Sequence, residues 1–165
     1  MKRLILLAIG CCLLAVSHAQ QVIRVEKGNA KSLLEAVAQA NKMNADTTAT
    51  QIFILIPDGF YDLGETVLTK ITGHNIALIG QSMTGTIIQN KPDTKKEGIS
   101  KTAIFQNRGT SRYIQDLTLK NALDYYAAGA AGRAVTLQDK GYRTICNRVR
   151  LLSYQDTYYS DNDLS

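Results

Sequence analysis

The chain has 165 residues, 45% of them hydrophobic, with 19 Lys and Arg against 14 Asp and Glu for a formal charge of +5. Such a length supports one domain with a substantial core. Only His18 and His74 are present, far apart and with no Cys/His cluster beside them, which excludes a protein-built zinc site; no nucleic-acid-binding motif accompanies the mild basicity.

Met1-Lys2-Arg3 is a basic n-region, Leu4 to Val16 an apolar h-region, and Ser17-His18-Ala19 a small-x-small cleavage site. This pattern predicts a secretory signal peptide over residues 1–19, a mature domain over 20–165, and a secreted or periplasmic location. The apolar run is too short for a comfortable membrane span, and no other segment is apolar enough to cross. Lipidation at Cys11 after Ala8-Ile9-Gly10 is the alternative, weakened by the short apolar stretch before it and by Ala8. Cleavage removes Lys2, Arg3, Cys11 and Cys12, leaving a charge of +3 and one thiol, Cys146. One thiol forms no internal disulfide, so the core alone must hold the mature chain. Cys146, in the apolar run Thr144-Ile145-Cys146, is expected to be buried and inert.

Ser32 to Met43 carries Leu33, Leu34, Val37 and Ala40 at helical spacing, and Ser32 with Glu35 three residues on reads as a capping box. From Gln51 onward the pattern changes to short β-type runs. Ile52–Ile56 stops at Pro57-Asp58-Gly59, Ile76–Ile79 at Gly80, and Thr86–Ile88 at Gln89-Asn90. Thr102–Phe105, Tyr113–Leu119, Ala134–Leu137 and Val149–Leu152 follow, with no second helical pattern between them. Two all-β architectures fit: a β-sandwich of hairpins, or a right-handed parallel β-helix with one short N-terminal capping helix. Asn75–Gly80 and Tyr113–Asn121 look like analogous coil starts, and Asp58-Gly59 is the one hairpin-type dipeptide, so the pattern puts the β-helix ahead.

Tyr154-Gln155-Asp156-Thr157-Tyr158-Tyr159 places an amide, a carboxyl and a hydroxyl side by side among aromatic rings, directly after an apolar run. A carboxyl moves protons, an amide stabilises an oxyanion, and rings hold a sugar. Tyr125-Tyr126, on an expected loop, is a weaker sugar-stacking candidate.

Several segments, in order, resemble the pectinesterases (pectin methylesterases). Ile52-Phe53-Ile54-Leu55-Ile56-Pro57-Asp58-Gly59-Phe60-Tyr61 is similar to their first strand and Gly-x-Tyr turn, and Asn75–Gly80 to the next strand. Arg133-Ala134-Val135-Thr136-Leu137 resembles a block that usually begins with Gln, and Leu151–Tyr159 resembles the family's most distinctive motif. The resemblance runs from about Val22 to Asn162 and implies a cofactor-free, metal-free esterase acting on the methyl esters of pectin (polygalacturonate methyl ester). It implies Asp156 as general acid/base, Gln155 as oxyanion donor, and Arg133, Tyr154, Tyr158 and Tyr159 as substrate-binding residues. Arg133 stands where the family has Gln, and Gln138 is a nearby alternative amide. The family's nucleophilic Asp and substrate-binding Arg are expected beyond Ser165, since Asp161 and Asp163 lack an apolar strand context; the chain alone is then expected to release little methanol. A β-helix pectin lyase, a non-catalytic carbohydrate-binding β-helix and a ligand-free structural solenoid are the rival readings. No acidic cluster for the calcium of a lyase is visible.

Overall fold

The computed structural model describes residues 20–160 except 47, 49, 67, 94–97, 130 and 131, so the leader expected over residues 1–19, Asp161 and Asp163 lie outside the described residues. β1 (Gln21–Arg24) leads into α1 (Ala30–Met43). The chain then winds through repeated coils. β2 (Ile52–Ile56), β3 (Gly59–Asp62) and β4 (Thr69–Ile71) make the first, and β5 (Ile76–Gly80), β6 (Thr86–Asn90) and β7 (Phe105–Asn107) the second. β8 (Thr110–Asn121) and β9 (Leu137–Asp139) make the third, and β10 (Tyr142–Leu152) and β11 (Tyr158–Ser160) the fourth. Each strand pairs in parallel with its counterpart in the next coil, which gives a parallel β-helix and rules out the hairpin sandwich.

Alternation inside each short strand produces the core. Ile52, Ile54 and Ile56 of β2 are buried while Phe53 and Leu55 between them are half-exposed, the two-residue period of a pleated strand. Stacking turns that alternation into columns: Ile54, Leu78, Ile114 and Cys146 share one register, and Tyr61, Ile88, Leu119 and Leu151 another. α1 covers the first coil with Leu33, Val37 and Ala40, each at most 1% exposed.

The coil corners use left-handed backbone. Asn75 (φ 49°), Ser111 (φ 59°) and Arg143 (φ 58°) stack at one corner, and Asp116 (φ 54°) and Arg148 (φ 50°) at another, where β8 and β10 bend from one face to the next. The Arg148 guanidinium donates both Nε and NH2 to the Asp116 carboxylate, and with the Gln115 amide it holds that carboxyl below the usual range. Two glycines are obligatory: a Cβ on Gly109 would run into the Gly73 carbonyl, and one on Gly80 into the Asp116 carbonyl.

Several expectations change. The helix is capped by Asn29, whose side chain accepts from the Ser32 N–H at 3.1 Å, whereas the Ser32 hydroxyl accepts from the Glu26 N–H and Glu35 pairs with Lys31 at the surface. The segment before Phe105 forms a 3-10 turn (Ile99–Lys101), so that strand starts later than expected. A single-turn helix, α2 (Tyr125–Ala128), stands between β8 and β9. Cys146 is exposed, not buried: it continues an inward column, but β10 pairs only with β8, and no described strand covers its other side. Partial burial and the Asp139 carboxylate raise its thiol pKa.

Candidate active site

The residues from Ser153 to Thr157 form the turn that joins β10 to β11. Ser153 and Thr157 share a hydroxyl hydrogen bond of 2.8 Å across it, and the Ser153 hydroxyl also donates to the Gln155 carbonyl at 3.3 Å. The turn is pinned to the coil beneath, because the Thr136 and Leu137 N–H groups donate to the Thr157 carbonyl and the Thr136 hydroxyl donates to the Leu152 carbonyl. Inside this frame Asp156 adopts φ 52°, in the left-handed region that Asp enters more readily than most non-glycine residues. Gln155 and Asp156 both face solvent, and among the described residues Asp156 makes no hydrogen bond or ion pair.

Arg133 is exposed at the start of the buried Ala134–Leu137 run, on the coil directly below the turn. The two segments therefore lie on adjacent coils, although no hydrogen bond joins Arg133 to Gln155 or Asp156 among the described residues. Gln138, the alternative amide, is fully buried: its carbonyl oxygen accepts from Gln106 Nε2 at 2.6 Å, and its own Nε2 has no partner among the described residues. It stands in a stacked glutamine ladder and not at the exposed turn.

The three tyrosines of the motif separate. Tyr154 is 63% exposed and stacks on Tyr125 at 6.0 Å between ring centroids with 22° between planes. Tyr126, 85% exposed, meets Tyr125 and Tyr154 edge-on at 5.9 and 6.2 Å. Tyr159 is half-buried above Gln138 in the strand register. Tyr158, 51% exposed, stacks above Leu137 in the strand register, and its hydroxyl donates to Asp139 Oδ2 at 3.0 Å. Burial, followed by that carboxylate, pushes the Tyr158 phenol up to about 12.

Asp139 anchors an interior polar network that sequence reading missed. Its Oδ1 accepts from Asn107 Nδ2, the Thr144 hydroxyl and the Gly141 N–H at 2.9, 3.0 and 3.1 Å. Arg112, 1% exposed, donates to Asn107 Oδ1 and to the Ile76 and Gly73 carbonyls; burial lowers its pKa to about 10, against the raising effect of Asp139. Nothing in the local sequence marks these residues, because their partners lie on other coils. Among the described residues no His, Cys, Asp and Glu cluster could hold a metal ion, and no helix is long and apolar enough to cross a membrane.

The pectinesterase family model matches residues 20–163. Pectinesterase 2.1 of Solanum lycopersicum is 29% identical over 134 residues, which cover 81% of this chain and 22% of that protein. The solved pectin methylesterase from carrot superposes with a TM-score of 0.66 at 28% identity, covering 83% of this chain and 41% of that one. A pectin methylesterase solved in complex with a hexasaccharide superposes with a TM-score of 0.62 at 27% identity, covering 74% of this chain and 40% of that one. The chain thus spans about a fifth of the length of the curated relatives it matches (22% and 23%).

Proposed function

Because the chain belongs to the pectinesterase family, we propose that it supplies part of an esterase that hydrolyses methyl esters of homogalacturonan to methanol and free galacturonate. The observation that supports this most is the Gln155–Asp156 turn: an amide and a carboxyl exposed together, the carboxyl in a left-handed conformation, on a loop tied to two coils. In this reading a second carboxylate attacks the ester carbonyl, Gln155 donates a hydrogen bond to the tetrahedral oxyanion, and Asp156 protonates the departing methoxide. Asp156 then takes a proton from the water that hydrolyses the acyl intermediate, returning the pair to its starting state.

Arg133 and Tyr154 are the substrate-binding residues best presented for a polymer, being exposed near the turn. Tyr158 commits its hydroxyl to Asp139 and leaves its ring 51% exposed for contact with the sugar. Export directed by residues 1–19 would bring the protein to its polymeric substrate outside the cytoplasm. No cofactor enters this chemistry.

The product decides the reaction class. With the protein that carries this chain and methyl-esterified homogalacturonan, methanol is expected without ultraviolet absorbance from chain cleavage. An unsaturated, absorbing product in place of methanol means a lyase, and the absence of both means a binding or structural role.

A further inference from the structure

On the coils below the candidate turn, the corner that leads toward β7 and β9 is held by asparagine. Asn90 Nδ2 donates to the Thr66 and Thr102 carbonyls at 3.1 and 3.2 Å, and Asn121 Nδ2 to the Thr102 and Val135 carbonyls at 2.9 Å each. The two side chains stack in register and are buried. Each amide thus ties the corner of its own coil to that of the coil before it.

This ladder stops at the coil that carries Gln155 and Asp156. Leu152 pairs with Lys120, so the next position, stacked over Asn121, is Ser153. A serine has one short hydroxyl where asparagine has an amide with two donor hydrogens. The Ser153 hydroxyl bonds along its own coil, to the Thr157 hydroxyl at 2.8 Å and the Gln155 carbonyl at 3.3 Å. The tie between coils comes instead from below. Thr136 is fully buried; its hydroxyl donates to the Leu152 carbonyl at 3.2 Å and its N–H to the Thr157 carbonyl at 3.1 Å. One residue therefore grips the turn at both ends. Asp156 makes no hydrogen bond or ion pair among the described residues, so the backbone of the turn sets where its carboxyl stands.

We propose that Thr136 and Ser153 are positioning residues for the Gln155–Asp156 pair, their hydroxyls replacing the asparagine ladder at this coil and holding the turn in the geometry that ester hydrolysis requires. The role rests on the esterase reading for the reaction it serves. It adds two hydroxyls that control turnover through the turn, one of them buried beneath it. A reacting group displaced by about 1 Å can lose about a hundredfold in rate, and loss of one of the two ties is expected to cost about a tenth of that.

The protein that carries this chain is assayed for methanol release from methyl-esterified homogalacturonan as wild type, Thr136→Val, Thr136→Ser, Ser153→Ala and Ser153→Thr. Valine keeps the branched shape of threonine and removes the hydroxyl. Thr136→Val and Ser153→Ala are each expected to lower kcat about tenfold with KM for the polymer unchanged, because Thr136 is buried and Ser153 bonds within the turn. Thr136→Ser and Ser153→Thr keep the hydroxyl and are expected to stay within about threefold of wild type. A role in folding alone would change the amount of folded protein, which circular dichroism reads, and not kcat per folded molecule. Hydrogen exchange over residues 152–158 reads the turn without the reaction. Thr136→Val is expected to speed exchange there about tenfold, and Thr136→Ser to leave it near wild type. Wild-type kcat in both Thr136→Val and Ser153→Ala, an equal loss in the hydroxyl-bearing variants, or unchanged exchange in Thr136→Val each overturn the proposal. If wild type releases no methanol, the esterase reading falls and exchange alone decides: faster exchange in Thr136→Val but not in Thr136→Ser keeps the clamp, and equal exchange removes it.

Discussion

At the residue scale, the Ser153–Thr157 turn holds the Gln155 amide and the Asp156 carboxyl side by side in solvent. Gln155 and Asp156 stand out in the sequence as an amide and a carboxyl among rings, and the structure presents them together at one exposed turn. Their local sequence does not reveal the left-handed conformation of Asp156 or the Thr136–Thr157 bonds that hold it, since those depend on a strand from another coil. If Gln155 donates to an oxyanion, Gln155→Ala in the active protein is expected to lower kcat about a hundredfold with KM little changed. An equal rise in KM would make it a binding residue instead. Tyr158 gives a test that needs no activity. Its folded pKa of about 12 lies above the ordinary tyrosine value near 10. Below pH 10 the neutral phenol therefore contributes its full share of stability, which is lost as pH rises through the folded value. Spectrophotometric titration should show Tyr61 and Tyr158 ionising later than the other tyrosines, and Tyr158→Phe should remove one of these late ionisations; a titration unchanged in Tyr158→Phe contradicts the Asp139 contact.

At the scale of elements, strands rich in isoleucine declared themselves and polar ones did not. β2 and β5 follow from Ile-Phe-Ile-Leu-Ile and Ile-Ala-Leu-Ile because every inward position is aliphatic. β7 and β9 escape such a reading since Gln106, Asn107, Gln138 and Asp139 fill them, and these side chains are satisfied only by their equivalents one coil away. The helix is legible in the sequence but its cap is not, because Asn29 and Ser32 both have capping chemistry and the Glu26 contact draws Ser32 away. Arg112 illustrates the cost of such interior polarity. Replacing it with Met leaves Asn107 Oδ1 and two backbone carbonyls without their donor, together with the buried Asp139 carboxylate nearby. The expected loss is about 3 kcal/mol or more, read as a lower midpoint in urea denaturation. A loss below about 1 kcal/mol would mean that water replaces the guanidinium.

At the scale of the whole molecule, repeated coil starts in the sequence carry the winding, and the last described coil has one unpaired side. Cys146, Ile145 and Leu152 sit on β10, whose free side leaves them open to solvent. In the 165-residue chain by itself, Cys146 is therefore expected to react with a thiol reagent without denaturant, slowly at neutral pH and faster at alkaline pH, since its thiol pKa is raised. Labelling only after unfolding would mean that this side is covered. The fold matters to function through stacking: adjacent coils bring Arg133 and the Gln155–Asp156 turn, 22 residues apart in sequence, onto neighbouring rungs.

Whether Asp156 carries the proton in the proposed pectin methyl-ester hydrolysis is decided by the rate of methanol release from methyl-esterified homogalacturonan by the protein that carries this chain, wild type beside Asp156→Asn. The side chain is exposed and makes no hydrogen bond among the described residues, so the substitution should leave the fold intact. Asp156→Asn is expected to release methanol at least about a hundredfold more slowly than wild type while binding the polymer as well. Equal rates from the two proteins would contradict that role.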